Sequence, residues 1–298
     1  MDFMKWTVGD VTVTKVPELD RVPGMRGLIP AATREAIEPI KWLQPHFVTH
    51  DLKMLASIHS LIVETGGRRI LVDTCVGNDK DRAFDAWNHM QGPFLDDLAK
   101  AGFPRESIDT VLCTHLHIDH VGWNTMWVDG KWVPTFPNAR YLMGADEFAY
   151  WKAEADADDA KPAGEKDMLE SGTVFGDSVR PVFEAGLVDL VGTDHVLSDT
   201  VRLIPTVGHT PGHVSVLIES KGETALITGD FMHHPCQIAR PDWAAAVDYD
   251  SDRSTRTRRE VFERFADTPT LIIGTHFASP TAGRLVRDGD AYRLDVEE

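Results

Sequence analysis

A layered α/β fold is what this sequence predicts, and three observations predict it. The chain has 298 residues and is 42% apolar, enough to bury a full core. Short apolar and β-branched runs of strand length recur in two groups, from SIHSLIVET to ARYLMG and from VRLIPTV to TLIIGTH. Helical patterns fall between them, so helices should cover the outer faces of sheets.

From the N-terminus, TVGDVTVTKV alternates and reads as a strand, and the stretch to Ala56 is irregular, with Pro and Gly at intervals. Residues 1–56 are therefore expected to form an extension or loop that covers a site. SIHSLIVET and RRILVDT are two strands joined by Gly66-Gly67, a strong hairpin signal. Gly92 to Gly102 reads as a helix ending at glycine, and IDTVLCTH as a buried strand. Next come a short hairpin on Asp129-Gly130, the strand ARYLMG and a helix from about Asp146 to Glu154.

Residues 155–172 are polar and weakly patterned and read as a surface insertion, with helix left open for part of it. The second group comprises VRLIPTV, HVSVLIES, ETALITGD, a helix over 252–266, TLIIGTH and a terminal hairpin at Asp288-Gly289. No repeat and no Gly, Pro or Ser linker divides the chain, so 1–298 is expected to be a single domain.

Charge narrows the function classes. Thirty basic against 47 acidic side chains leave a net charge of −17, with Lys and Arg scattered. Counterion release needs a basic surface, so nucleic acid is not an expected partner, nor is an anionic membrane. The first 30 residues carry charges throughout and no apolar segment, so a soluble, cytoplasmic protein is expected. Cys75, Cys113 and Cys236 lack the close spacing of a zinc knuckle or redox pair and read as buried, reduced, structural residues.

The chemistry concentrates in Thr114-His115-Leu116-His117-Ile118-Asp119-His120, directly after the apolar VLC. Four possible metal ligands lie within six positions. His115 and His117, two apart, point the same way if the strand persists, while Asp119 and His120 diverge once the chain turns. Imidazole nitrogens with a carboxylate suit zinc or a similar divalent ion. Three more candidates end later strands: His209 in VGHTPGH, Asp230 in LITGD and His276 in IIGTH. Polar residues at the ends of several strands converge beyond one sheet edge.

HLHIDH, GHTPGH, LITGD and IIGTH, in this order and spacing, resemble the metallo-β-lactamase superfamily from about Ser57 to Thr281. The resemblance implies a four-layer αββα sandwich. It implies one metal on His115, His117 and His209, a second on Asp119, His120 and His276, and Asp230 bridging both. Five histidines with a bridging aspartate resemble the lactonase and organophosphate hydrolase branches more than the classical β-lactamases, which usually offer a cysteine where this chain has Asp230. Acyl-homoserine lactonases often carry a tyrosine three positions after that aspartate. This chain has His233 there, closer to the organophosphate hydrolases.

The resemblance implies a metallo-hydrolase with two divalent ions, zinc first and Mn, Co or Fe also suited, whose bridging hydroxide cleaves a lactone, carboxylic ester or phosphotriester. Asp119 would pass a proton to the leaving group, and His233 or His234 would donate to the developing oxyanion. The substrate is expected to be small and neutral or apolar, and the N-terminal segment leaves room for a homodimer. Two relatives compete. A glyoxalase II-like thioesterase needs C-terminal basic residues, and the tail offers only Arg284, Arg287 and Arg293. A persulfide dioxygenase-like oxidoreductase binds one iron through two histidines and an aspartate, and retention of seven ligands argues against it.

Asp73 in LVDT resembles the family's supporting carboxylate, and His213 reads as a supporting residue rather than a ligand. His46, His50, His59, His89 and His195 read as structural. Met25, Leu28, Trp42, Phe47, Trp123, Met232 and Phe277 are candidates for an apolar pocket wall, with core packing as the competing role.

Overall fold

The computed structural model describes residues 3–159 and 171–296. The expected insertion over 155–172 therefore falls, for 160–170, outside the described residues; its ends lie in the helices Ala145–Asp159 and Ser171–Val174. The chain forms two compact units, one of residues 1–7, 11–18 and 58–192, the other of residues 8–10, 19–57 and 193–298.

A seven-stranded sheet organises the first unit. Its strands are β1 (Lys5–Val8), β2 (Val11–Pro23), β3 (Leu55–Thr65), β4 (Arg68–Val72), β5 (Thr110–Leu112), β8 (Arg140–Gly144) and β9 (Val188–Val191), adjacent in that order. The ends of β1, β2 and β3 belong to the second unit. Between β5 and β8, a separate hairpin pairs β6 (Thr125–Val128) with β7 (Lys131–Pro134). Gly66-Gly67 and Asp129-Gly130 both take positive φ at their two central residues, the type I′ geometry that matches strand twist. β4, β5, β8 and β9 run parallel, so Asp73 and the 114–120 loop leave the sheet at the same edge, beyond adjacent carboxyl ends.

The second unit carries a six-stranded sheet in chain order: β10 (Val201–Pro205), β11 (Val214–Ser220), β12 (Glu223–Ile227), β13 (Leu271–Ile273), β14 (Ala282–Asp288) and β15 (Ala291–Asp295). Only β12 and β13 are parallel, and Asp230 and His276 follow their carboxyl ends. Helix Ser251–Phe265 starts at Asp250, whose side chain accepts from the Arg253 N–H at 2.8 Å. It buries Ser254, Thr257, Arg258, Val261, Phe262 and Phe265, a helical stripe. That stripe packs into a core with Ile29, Phe47, Leu217, Leu226, Phe231 and Ile272.

One expectation needs correction, and two elements went unread. The N-terminal alternation is two strands, because Gly9 turns at φ 58°, and β2 runs on to Pro23 rather than ending near Val16. Its second half is half-buried or exposed and so carries no apolar alternation. Ser171–Glu184 is helical, with a π-helical segment at Phe175–Val179. Gly176, Pro181 and the valines disfavour a helix, but burial of Val174, Phe175, Val179 and Val182 overrides propensity. β9, half-buried at the sheet edge, gave no pattern at all.

Candidate functional site

In the first unit the ladder ends where the Cys113 N–H donates to the Leu142 carbonyl, and the chain then turns through the ligand run. Asp73 holds that turn. Its Oδ1 accepts from the Thr114 N–H at 2.8 Å, and its Oδ2 from the Thr114 hydroxyl at 2.8 Å and from His120 Nδ1 at 2.9 Å. Glu147 holds the middle, accepting from the Leu116 N–H at 3.0 Å and from Trp151 Nε1 at 2.6 Å. His115 Nε2 and His117 Nδ1 thereby stand 3.0 Å apart, and the His115 and His120 ring centres 4.0 Å apart. Asp119 lies 3.7 Å from His120 Nε2 and keeps 16% of its side chain exposed, whereas the three histidines are buried.

Behind this loop lies Glu18, which sequence reasoning passed over. It accepts from the Val76 and Gly77 N–H groups at 2.9 and 3.1 Å and from Trp123 Nε1 at 2.7 Å. Burial pushes its carboxyl above the ordinary range, and the charge of Asp119 adds to the push. Trp123, a pocket-wall candidate, is thus buried and tied to Glu18, and it stacks on Phe94.

In the second unit His209, Asp230, His233 and His276 converge. Gly229 turns at φ 57° and packs so closely on His213 that a Cβ there would lie 2.6 Å from its Nε2. The Asp230 N–H donates to that same nitrogen at 2.7 Å, so the opposite Nδ1 of neutral His213 donates to the Thr206 hydroxyl at 2.9 Å. His213 therefore locks the turn and is spent as a ligand. Asp230 Oδ2 stands 3.0 Å from His276 Nε2, 3.3 Å from His233 Nε2 and 3.8 Å from His209 Nε2. His209 Nδ1 donates to Asp248 Oδ1 at 2.9 Å, and His276 Nδ1 to the Ser57 carbonyl at 3.1 Å.

Lone pairs decide whether a cation fits. With Nδ1–H committed to Asp248 and Ser57, neutral His209 and His276 aim Nε2 lone pairs at a carboxylate oxygen, and His120, tied to Asp73, likewise presents Nε2. Lone pairs facing a buried carboxylate repel it unless a proton or a metal cation sits between them, and one carboxylate oxygen shared by several imidazoles suits the metal. The 3.0 Å between His115 and His117 nitrogens is close to the roughly 3.4 Å set by two bonds of about 2.0–2.1 Å on one tetrahedral zinc. The donor set fits divalent metal in both units.

His233 joins the second cluster, its N–H held by Gln237 Oε1 at 2.6 Å, and its Nδ1 has no hydrogen-bond partner among the described residues. His234 does not join: Nε2 donates to the Phe47 carbonyl at 2.9 Å and Nδ1 accepts from the Cys236 N–H at 3.1 Å. Burial pushes its imidazole down to about 4, so it is a neutral structural residue. Phe47, Met232 and Phe277 are buried in the core of the second unit, with Met25 and Trp42 packed against it. The three cysteines are buried and free of disulfides.

Asp248, Gln237 and Glu147 were missed because each meets its partner only through folding. One signal was present for the region around Asp248: Arg258 falls on the apolar stripe of its helix, where an arginine requires a buried acceptor or anion.

These features define a class. Residues 55–276 match the model of the metallo-β-lactamase superfamily, and the chain belongs to that superfamily. Among curated proteins it is similar to a probable metallo-hydrolase, YybB of Bacillus subtilis (strain 168), at 23% identity over 76% of this chain and 83% of that one. Among solved structures it is similar to AidC, a dizinc quorum-quenching lactonase, with a TM-score of 0.79 and 20% identity over 99% and 97% of the two chains. It is also similar to AbOPH, a hydrolase in the β-lactamase superfamily, with a TM-score of 0.77 and 23% identity over 99% and 98%. At such identities the structural likeness speaks to the fold, which is the metallo-β-lactamase fold.

No helix among the described residues is long and apolar enough to cross a membrane.

Proposed function

We propose that the chain is a dinuclear metal-dependent hydrolase acting on a small, neutral or apolar lactone, carboxylic ester or phosphotriester. His115, His117 and His209 would hold one ion, Asp119, His120 and His276 the other, and Asp230 would bridge them. The observation that carries this reading is Asp230 Oδ2 within 3.8 Å of three histidine Nε2 atoms, two of them on rings whose Nδ1–H is committed elsewhere.

When bound, two divalent ions supply a nucleophilic water near neutral pH and polarise the electrophilic oxygen of the substrate. The chain's own groups do the rest. Asp119, the one partly exposed ligand, would hand a proton to the departing oxygen. His233 donates to the oxyanion that develops at the attacked carbonyl or phosphoryl group. His233 in place of a tyrosine favours a phosphotriester, while the likeness to a dizinc lactonase supports the lactone. The cysteines, buried and free, suit a reducing compartment, and we place the protein in the cytoplasm.

Elemental analysis of protein purified without chelator, with assays on a lactone, an aryl ester, a thioester and a phosphotriester, tests the reading. About two ions per chain, and chelator-sensitive hydrolysis that Asp230→Asn abolishes, are expected. A single iron without hydrolysis would replace it with the oxidoreductase reading.

A further inference from the structure

Two of the histidine partners in the second unit differ in kind. His276 Nδ1 meets a backbone carbonyl, whereas His209 Nδ1 meets a carboxylate that is wholly withdrawn from water. The carbonyl alone fixes a tautomer. A buried carboxylate costs far more to place, so it must do more.

Asp248 is built in from both sides. Its Oδ2 accepts from the Ala245 N–H at 3.0 Å, and Arg258 Nη2 lies 3.9 Å from that oxygen, with neither side chain exposed. Arg258 is anchored in turn. Nε donates to the Phe231 carbonyl at 3.0 Å, Nη1 to the Pro241 carbonyl at 2.6 Å and Nη2 to the Ser254 hydroxyl at 3.2 Å. Phe231 is the residue after Asp230, so one guanidinium ties the loop of the bridging aspartate to the carboxylate that orients His209.

We propose that Asp248 is a positioning residue for metal binding at His209, and that Arg258 supplies the counter-charge and the link to the Asp230 loop. Through Nδ1, Asp248 fixes the ring plane and makes Nε2 a stronger donor toward a cation. Ser57, with an uncharged carbonyl, gives His276 orientation without that gain. The ion on His209 should therefore depend on Asp248 more than the other ion does. This inference rests on the dinuclear reading.

The test is stepwise zinc competition against a chromophoric chelator, on wild type, Asp248→Asn and Arg258→Lys, with melting of the metal-free proteins as a folding control. Asp248→Asn keeps the volume and removes the charge. It is expected to weaken one of two zinc ions by ~10–100-fold and leave the other near wild type. Arg258→Lys should weaken the same ion by a smaller factor. Wild type holding two ions while folded Asp248→Asn holds both equally tightly would overturn the inference and spare the dinuclear reading. A wild type that binds no zinc would overturn both.

Discussion

The two ligand clusters are supported in opposite ways. In the first unit two carboxylates support the whole 114–120 loop: Asp73 holds the backbone and hydroxyl of Thr114 and the ring of His120, and Glu147 holds the Leu116 N–H. In the second unit support is distributed: Asp248 for His209, the Ser57 carbonyl for His276, His213 for the Asp230 backbone and Gln237 for that of His233. A contiguous motif can share its anchors because its ligands lie on one loop. Ligands from separate strand ends each need their own.

That contrast is broken hardest at Asp73. Asp73→Ala would remove the acceptor of three buried donors, the Thr114 N–H, the Thr114 hydroxyl and His120 Nδ1, at about 1–3 kcal/mol for each left unpaired. Urea denaturation of the metal-free protein should show the loss, and affinity should fall by ~10–100-fold for ions on both His115 and His120. A loss confined to one ion would mean that the loop is held elsewhere.

His233 is the next test, because it belongs to the distributed cluster without being assigned as a ligand. His233→Ala should leave two ions per chain and lower kcat by ~10²–10³, the cost of one oxyanion donor. Gln237→Leu, which frees the His233 N–H, should give a smaller fall of the same kind. If metal content drops with His233→Ala, the residue is a ligand and the oxyanion role fails.

The same contrast explains what could be read from sequence. HLHIDH was legible because local spacing alone puts four donors together, and Asp73 because LVDT follows an apolar strand and resembles the family's supporting carboxylate. His209, Asp230 and His276 were legible only jointly, as polar endings to apolar strands. Of their partners only His213 was legible, as a supporting residue; Asp248 and Ser57 were not. Asp248 sits 39 positions from His209 in the acidic run DYDSD, where an isolated aspartate reads as solvated surface. Glu147, on the exposed-looking face of a polar helix, gives no sign that it caps the Leu116 N–H. The Gly-Gly and Asp-Gly turns fixed hairpin register in advance, whereas the helix through Phe175–Val179 depends on burial that its composition does not announce.

The smallest expected effect belongs to a charged cluster of the first unit that lies outside the ligand set, and it sharpens the contrast as a control. Lys80 and Arg82 share one carboxylate, Asp177, with the Lys80 ammonium 3.6 Å over the Trp132 ring and its Nζ donating to the Thr125 hydroxyl at 2.6 Å. Arg82 already satisfies Asp177 through two nitrogens. Burial therefore pushes Lys80 down to about 7, with Asp177 opposing and Arg82 assisting. A lysine lowered in the folded state favours its neutral form there, so between about pH 7 and about pH 10 the unfolded chain binds the extra proton and stability rises with pH. Below about pH 7 both states are protonated and this slope vanishes. Lys80→Met removes the titrating group and leaves the Arg82–Asp177 pair intact. Urea denaturation at pH 6, 7.5 and 9 should show wild type gaining on Lys80→Met as pH rises, with metal content equal in both. Parallel curves would mean that Lys80 stays charged in the folded protein, with Asp177 outweighing its burial.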